Sequence, residues 1–154
     1  MKTIIIGLGN SILSDDSVGI RAARLVFERL ADADVSFSEA PSGGMDLAET
    51  MEGYGRAVII DSMKTGLFPA GHVGAFGPSA LGSTRNTYST HQGSLETAIE
   101  AGRLLGMNLP SDITVFGIEA LDTETFSESL TPVIEGKLES IADEIMAHME
   151  APAR

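Results

Sequence analysis

Residues 3–20 read TIIIGLGNSILSDDSVGI, and the fold prediction for this chain starts from them. The run of isoleucines is typical of a strand that is buried on both faces, and Gly7 and Gly9 end the run with a turn. Asp15 and Asp16 come directly before an amphipathic helical pattern. A buried strand, a glycine turn and a helix, in that order, indicate an α/β protein.

The two carboxylates are unexpected here, because a Gly-x-Gly turn before a helix usually binds phosphate at the helix N-terminus. A dinucleotide-binding loop needs a third glycine, and Ile12 stands in its place. Ser14, Asp15 and Asp16 offer N-cap oxygens for a helix that is predicted to run to about Asp32. Two carboxylates at that position would also repel a pyrophosphate, so the turn does not predict a nucleotide site.

The rest of the chain continues the alternation of strand and helix. After a first strand at 2–6, further strands are predicted at 35–37, 57–60, 72–76 and 113–118, and further helices at 45–51, 94–105 and from 132 onward. We therefore predict one domain over residues 1–154, with a single-domain three-layer α/β fold. Its twisted, mostly parallel open sheet of about five strands would carry helices on both faces. Ligands bind such sheets at the carboxyl ends of the strands.

The composition excludes several classes of protein. With 43% hydrophobic residues the chain can bury an aliphatic core, and without cysteine it has no disulfide, thiolate metal site or cysteine nucleophile. A net charge of −12 disfavours binding to nucleic acid or to an anionic membrane surface. The apolar run at 4–6 is too short for a signal peptide or a membrane span. A cytoplasmic protein with no nucleic-acid or membrane partner is expected.

Three polar residues are candidates for a metal site. Asp16 follows the first strand, Asp61 follows the strand predicted at 57–60, and His91 lies in a polar loop before a helix. Carboxylates about 5 Å apart would repel each other by roughly 3 kcal/mol at an effective dielectric constant near 20, unless a proton or a cation lies between them. One imidazole and two carboxylates suit a borderline divalent ion such as Ni²⁺ or Zn²⁺.

Each of these residues also has a purely structural explanation. Asp15 or Asp16 could cap the helix, Asp61 could be a turn residue that closes a strand, and His91 could be an ordinary surface residue. The residue types alone therefore predict an acidic cleft and leave the metal as a hypothesis.

A second glycine turn, Gly43–Gly44, is predicted to form the wall of the cleft opposite the first turn. Glycine permits positive φ and leaves room for another backbone to approach closely. Gly43 and Gly44 are therefore candidate substrate-binding residues, together with Asn10 of the first turn.

Four blocks of the sequence resemble the hydrogenase maturation proteases, which remove the C-terminal extension from the large subunit of nickel–iron hydrogenases. The blocks are similar to the family's G-x-G-N-x-x-x-x-D-[DE]-x-x-G opening, to its Gly-rich turn, helix and strand ending in aspartate, to its S-x-H-x-x-x-L segment, and to its G-I-E strand with an L-S-P-type helix. In chain order they read GLGNSILSDDSVGIRAARLV, SGGMDLAETMEGYGRAVIIDSMKTG, STHQGSLETAIEAGRLLG and ITVFGIEALDTETFSESLTPVIEGKL. Four blocks in the family's order make the resemblance specific.

The resemblance implies a twisted open α/β sheet and an endopeptidase that acts on the nickel–iron hydrogenase large-subunit precursor after nickel insertion. The family's catalytic and metal-contacting residues correspond to Asp16, Asp61 and His91. These residues would recognise nickel that the substrate holds, and other divalent ions such as zinc or cadmium could occupy the same site. A monomer is expected, because a substrate protein must reach the cleft.

Two other functions remain open from the sequence. One is a metal-dependent peptidase or amidase of small substrates, with an ion held permanently by the same three residues. The other is a non-catalytic nickel carrier or assembly chaperone.

Overall fold

A five-stranded sheet forms the centre of the molecule. The computed structural model describes residues 1–40, 45–78 and 95–150. The strands are β1 (Thr3–Leu8), β2 (Val35–Ala40), β3 (Arg56–Met63), β4 (Val73–Phe76) and β5 (Asp112–Glu119), in the sheet order β2-β1-β3-β5-β4. The helices of the described residues are α1 (Val18–Leu30), α2 (Met45–Met51), α3 (Leu95–Leu104) and α4 (Pro132–Glu150), and a 3₁₀ turn, Ser14–Ser17, precedes α1.

The sheet is mostly parallel, as the alternation of strand and helix predicts. β1 pairs in parallel with β2 and β3, β3 pairs in parallel with β5, and only the edge strand β4 runs antiparallel to its neighbour β5. All of β1 is buried, since a strand in the middle of such a sheet is covered on both faces. The predicted α/β class is confirmed.

Helices cover both faces of the sheet. Side chains alternate between the two faces of each strand, so each strand contributes to the core on both sides. On one face Ile5 and Ile60 belong to a core cluster that includes residues of α1 and α4. On the other face Ile6 and Ile59 belong to a cluster that includes residues of α2 and α3. The sheet between two helical layers is the predicted three-layer arrangement. Among the described residues, no helix has the length and apolarity that a membrane span requires.

Four strands end later than predicted, and in β3 the added residues include buried, hydrogen-bonded polar side chains. β1 continues through Gly7 to Leu8, β2 to Ala40, β3 to Met63 and β5 to Glu119. Asp61 therefore lies inside β3, and the prediction that it follows the strand was wrong. A buried polar residue with hydrogen-bond partners can remain in a strand.

Helix α3 ends one residue earlier than predicted. Gly106 has a φ of 82°, which suits a residue that follows a helix. The chain has already left the regular helix at Leu105, which is 75% exposed. The helical pattern therefore ends before this residue.

Candidate active site

Asp16 and Asp61 lie at the point where the strand order of the sheet reverses. The chain leaves β1 for β2 on one side and returns to β3 on the other side. A crevice forms at the carboxyl ends of the strands at such a point, and ligands bind there. Asp16 is part of the 3₁₀ turn after β1, and Asp61 is near the carboxyl end of β3.

Gly9 allows the chain to fold back between β1 and the 3₁₀ turn. Its φ of 146° is one that residues with a side chain rarely adopt. A Cβ at this position would overlap the carbonyl oxygen of Asp16. Ser14 also has a positive φ, of 48°, and its N–H donates to the carbonyl of Ser127 at 2.9 Å. The close packing of Gly9 against the 3₁₀ turn Ser14–Ser17 (the acidic turn) therefore explains why the opening motif has a glycine at this position.

The Asp16 carboxylate is half-buried and accepts a hydrogen bond on each oxygen. Oδ2 accepts from the backbone N–H of Asn10 at 2.9 Å, and Oδ1 accepts from the hydroxyl of Ser62 at 2.8 Å. A carboxylate has about four lone-pair sites, so both oxygens retain capacity for a further donor or a cation. The side chain thus has the chemistry of an oriented metal ligand.

Asp61 is 0% exposed, and its Oδ1 accepts from the backbone N–H of Ser62 at 2.8 Å. Ser62 therefore bonds to both candidate carboxylates, with its backbone to Asp61 and with its hydroxyl to Asp16. The first turn of α1 packs directly on this part of β3, since a Cβ at Gly19 would lie only 2.8 Å from the Cα of Asp61. Asp16 and Asp61 are thus carried by segments in direct contact.

No side chain of the acidic turn caps helix α1. The helix begins at Val18, and its N-cap residue Ser17 makes no side-chain hydrogen bond to the helix. The predicted capping by Ser14, Asp15 or Asp16 was therefore wrong. The aspartates belong to a preceding 3₁₀ turn, and their carboxylates bond to other parts of the chain.

Asp15 joins the acidic turn to the loop after β5 and to helix α4. Its carboxylate is 0% exposed and accepts from the backbone N–H groups of Leu121 and Asp122, both at 3.0 Å. It also accepts from the backbone N–H of Thr131 at 2.8 Å, directly before the first residue of α4. A negative charge is favourable at a helix N-terminus. Asp15 is therefore a structural carboxylate beside the candidate ligand Asp16.

The loop after β5 is ordered by its own carboxylate. The hydroxyl of Thr125 donates to Asp122, and the backbone N–H groups of Glu124 and Thr125 donate as well. These hydrogen bonds, with that of the Thr125 hydroxyl the largest cause, lower the pKa of Asp122 to about 2. The carboxylate stays ionised well below the pH at which a free aspartate takes up a proton.

Glu119 orders the loop that follows β3. It is buried at the end of β5, and its carboxylate accepts from the hydroxyl and N–H of Thr65 at 2.5 and 3.0 Å and from the N–H of Gly66 at 3.2 Å. Since Asp61 and Ser62 lie just before this loop, Glu119 supports the same edge of the sheet from the β5 side.

A cavity of about 310 Å³ opens beside Asn10, between the loop after β1 and the carboxyl end of β2. Its lining consists of Gly9, Asn10, Ser11, Ile20, Glu39 and Ala40. The backbone N–H of Asn10 bonds to Asp16, so the cavity and the carboxylate share a wall. Glu39 is paired with Arg24, which offsets its negative charge.

His91, Gly43 and Gly44 lie outside the described residues. Within the described ranges 1–40, 45–78 and 95–150, no three His, Asp or Glu side chains are grouped as a metal site would require. Asp16 and Asp61 lie at one edge of the sheet, and the role of all three residues as metal ligands stays a prediction. The oxygen donors fit a divalent ion, which accepts carboxylate ligands.

Sequence reasoning missed two features of this site. Ser62 was not considered, although a serine directly after a strand-end aspartate can hydrogen-bond a second carboxylate. The role of Asp15 was also missed, since its partners are more than a hundred residues away along the chain. The only local signal for this role was the adjacent pair Asp15 and Asp16, in which Asp16 was taken to face the cleft.

Relatives of known class match nearly the whole chain. The family model described as hydrogenase maturation protease matches residues 20–148. The hydrogenase expression/formation protein HupD of Rhodobacter capsulatus is 23% identical over 154 residues, which cover 97% of this chain and 72% of the relative. The hydrogenase 2 maturation protease of Escherichia coli strain K12 is 24% identical over 151 residues, which cover 96% of this chain and 90% of the relative.

Solved structures share the fold. The hydrogenase maturating endopeptidase HybD from E. coli superposes with a TM-score of 0.78 at 23% identity, covering 97% of this chain and 92% of that one. The [NiFe] hydrogenase maturation protease HycI from Thermococcus kodakarensis KOD1 gives a TM-score of 0.72 at 22% identity, with 97% and 93% covered. The family model matches well over half of the sequence. The chain therefore belongs to the hydrogenase maturation protease family.

Proposed function

We propose that this protease removes the C-terminal extension of a nickel–iron hydrogenase large-subunit precursor after nickel has entered it, and that Asp16, Asp61 and His91 recognise the metal. The observation that carries the proposal is the pair of carboxylates at the switch point of the sheet, joined through Ser62. Substrates of open α/β sheets bind at this place. Membership of the family supplies the class of reaction.

The residues have distinct parts in the proposed recognition. Asp16 is oriented by two hydrogen bonds and is half-buried, so its remaining lone pairs are available to an ion that arrives with the substrate. Asp61 would bind from β3, and His91 would add the nitrogen ligand. A bound metal ion supplies polarisation of a carbonyl or activation of water.

The cavity beside Asn10 supports the proposed contact with the substrate backbone. Gly9 and Asn10 line it, and the chain beyond Ala40 leads directly to Gly43 and Gly44. A glycine wall leaves room for an extended peptide. We assign Asn10, Gly43 and Gly44 to substrate binding, in one catalytic domain that acts as a monomer.

The direct test is truncation of a nickel-loaded large-subunit precursor by the purified protein, followed over time by intact-protein mass spectrometry. We expect loss of one C-terminal segment, and Asp61→Asn should slow it by at least about a hundredfold, because a ligand charge is removed. Asp143→Asn is the matched control, since Asp143 is an exposed residue of α4 far along the chain from the site. Unchanged precursor after prolonged incubation would show a different substrate.

A permanently bound ion would favour the alternative of a small-substrate peptidase or amidase. Metal analysis of protein purified without added metal distinguishes the two. We expect substoichiometric metal. One tightly held zinc ion per chain, with hydrolysis of short peptides, would contradict recognition of substrate-held nickel.

A further inference from the structure

We infer that Ser62 is a positioning residue, whose hydroxyl holds the Asp16 carboxylate in place beside β3. The inference rests on the proposed function, in which Asp16 binds the metal that the substrate presents. Ser62 lies outside the opening motif, 46 positions from Asp16 along the chain.

The position of Ser62 in β3 directs its hydroxyl to the Asp16 carboxylate. Ser62 lies two residues after Ile60 in β3, and alternate residues of a strand share a face. Ser62 thus extends on the side of Ile60 and helix α1, where its Oγ reaches Asp16 Oδ1 at 2.8 Å. The serine is 4% exposed, and water therefore competes weakly for this hydrogen bond.

The second hydrogen bond of Asp16 does not fix the carboxylate by itself. The N–H of Asn10 holds Oδ2 through a loop residue that is exposed, whereas Ser62 holds Oδ1 from the buried end of β3. Two bonds on different oxygens define the plane of the carboxylate, and one bond leaves it free to rotate. Residues that orient metal ligands in this way commonly change metal affinity when they are replaced.

Four variants separate the hydroxyl from the volume of the side chain. Ser62→Ala removes the hydroxyl, and Ser62→Thr retains it with an added methyl group. Ser62→Val has the shape of threonine without the donor. Ser140→Ala is the control, since the Ser140 hydroxyl also donates one hydrogen bond, to the carbonyl of Lys137 at 2.9 Å in helix α4.

The first measurement is Ni²⁺ affinity of the chain alone by calorimetry, and the second is the kinetics of precursor truncation. We expect Ser62→Ala and Ser62→Val to weaken Ni²⁺ binding about 10- to 100-fold and to lower kcat/KM for the nickel-loaded precursor, because the precursor presents that metal. Ser62→Thr should remain near wild type. Ser140→Ala should retain the Ni²⁺ affinity and the kcat/KM of the wild type.

The outcomes distinguish the inference from the function on which it rests. If the wild type truncates the precursor and Ser62→Val equals Ser62→Thr in both measurements, the positioning role is wrong. A loss in Ser140→Ala as large as in Ser62→Ala would also overturn it, because loss of a hydroxyl would then act without any contact to Asp16. A wild type that binds Ni²⁺ without cleaving would refute the proposed function, and the affinities would still decide the role of Ser62. A wild type that neither binds nor cleaves would overturn both.

Discussion

At the scale of single residues, Asp15 and Asp16 are adjacent in sequence but their carboxylates have opposite surroundings. Asp15 is fully buried and accepts from a backbone N–H on each oxygen and also from the Thr131 hydroxyl, whereas Asp16 is half-buried and accepts from one N–H on one oxygen and one hydroxyl on the other. A backbone N–H can only donate, while a hydroxyl can donate or accept. The same replacement should therefore have different effects at the two positions.

Asp15→Asn should destabilise the fold, and Asp16→Asn should weaken metal binding. At position 15 either orientation of the amide places its NH₂ group against a backbone donor, at a cost of about 2–4 kcal/mol in unfolding free energy. At position 16 the amide oxygen can accept from Asn10, and its NH₂ group can donate to the Ser62 hydroxyl after that hydroxyl rotates. We expect a loss of about 1 kcal/mol or less there, with Ni²⁺ affinity at least tenfold lower.

Urea unfolding and calorimetry of both variants measure the two effects. Similar destabilisation by both replacements would contradict the distinction between a structural and a binding carboxylate. Unchanged Ni²⁺ affinity in Asp16→Asn would remove Asp16 from the proposed site.

At the scale of elements, the site depends on how closely helix α1 approaches the sheet. A Cβ at Gly19 would lie 2.5 Å from the carbonyl oxygen of Ile60 and 2.6 Å from that of Leu8. Gly7 makes the reverse contact, since its Cβ would lie 2.7 Å from the Cα of Ile20. The helix therefore packs with its backbone directly on β1 and β3, which keeps Asp16 within reach of Ser62.

Gly19→Ala should push α1 away from the strand ends. The contacts involve backbone atoms that cannot move aside, so we expect a loss of about 1–3 kcal/mol or more in unfolding free energy. Gly136→Ala in α4 is the matched control, because a Cβ there meets nothing within 4 Å and alanine is the better helix former by about 1 kcal/mol. Thermal unfolding of the two variants should show opposite shifts, and a neutral Gly19→Ala would contradict the close approach.

Precursor truncation by Gly19→Ala adds a second measurement at the element scale. Because the displaced helix carries Asp16 with it, activity should fall more than the remaining folded fraction explains. Full activity of the folded fraction would indicate that the Asp16–Ser62 contact tolerates movement of α1.

At the scale of the whole molecule, the order of strands and helices was predictable, and the hydrogen bonds between distant segments were not. The sequence pattern predicted β1 and the closing helix α4, whose Ile134, Ile141 and Ile145 are buried. Polar residues inside the buried end of β3 do not follow that pattern, so Asp61 was predicted to follow the strand and Ser62 was not considered. Their hydrogen bonds join distant parts of the chain, and local sequence carries no signal for such pairs.

The candidate site shows the same division between local and distant information. Asp16 and Asp61 could be selected because both follow apolar runs, and the carboxyl ends of parallel strands meet at one edge. The Asp15 carboxylate accepts hydrogen bonds from Leu121, Asp122 and Thr131. These bonds form because the chain after β5 returns to the 3₁₀ turn that follows β1. Only the folded chain brings these segments together.

The last prediction concerns the source of the metal at the scale of protease and substrate together. The proposed ligands, two carboxylates and one imidazole, would leave coordination positions open, which an ion still bound to the substrate can share. Metal-stripped protease should therefore truncate nickel-loaded precursor and leave nickel-free precursor intact, as followed by mass spectrometry. Adding Ni²⁺ to the protease before nickel-free precursor should not restore cleavage. Equal truncation of both precursors would show that the protease does not recognise nickel in the substrate, even though it cleaves the same bond.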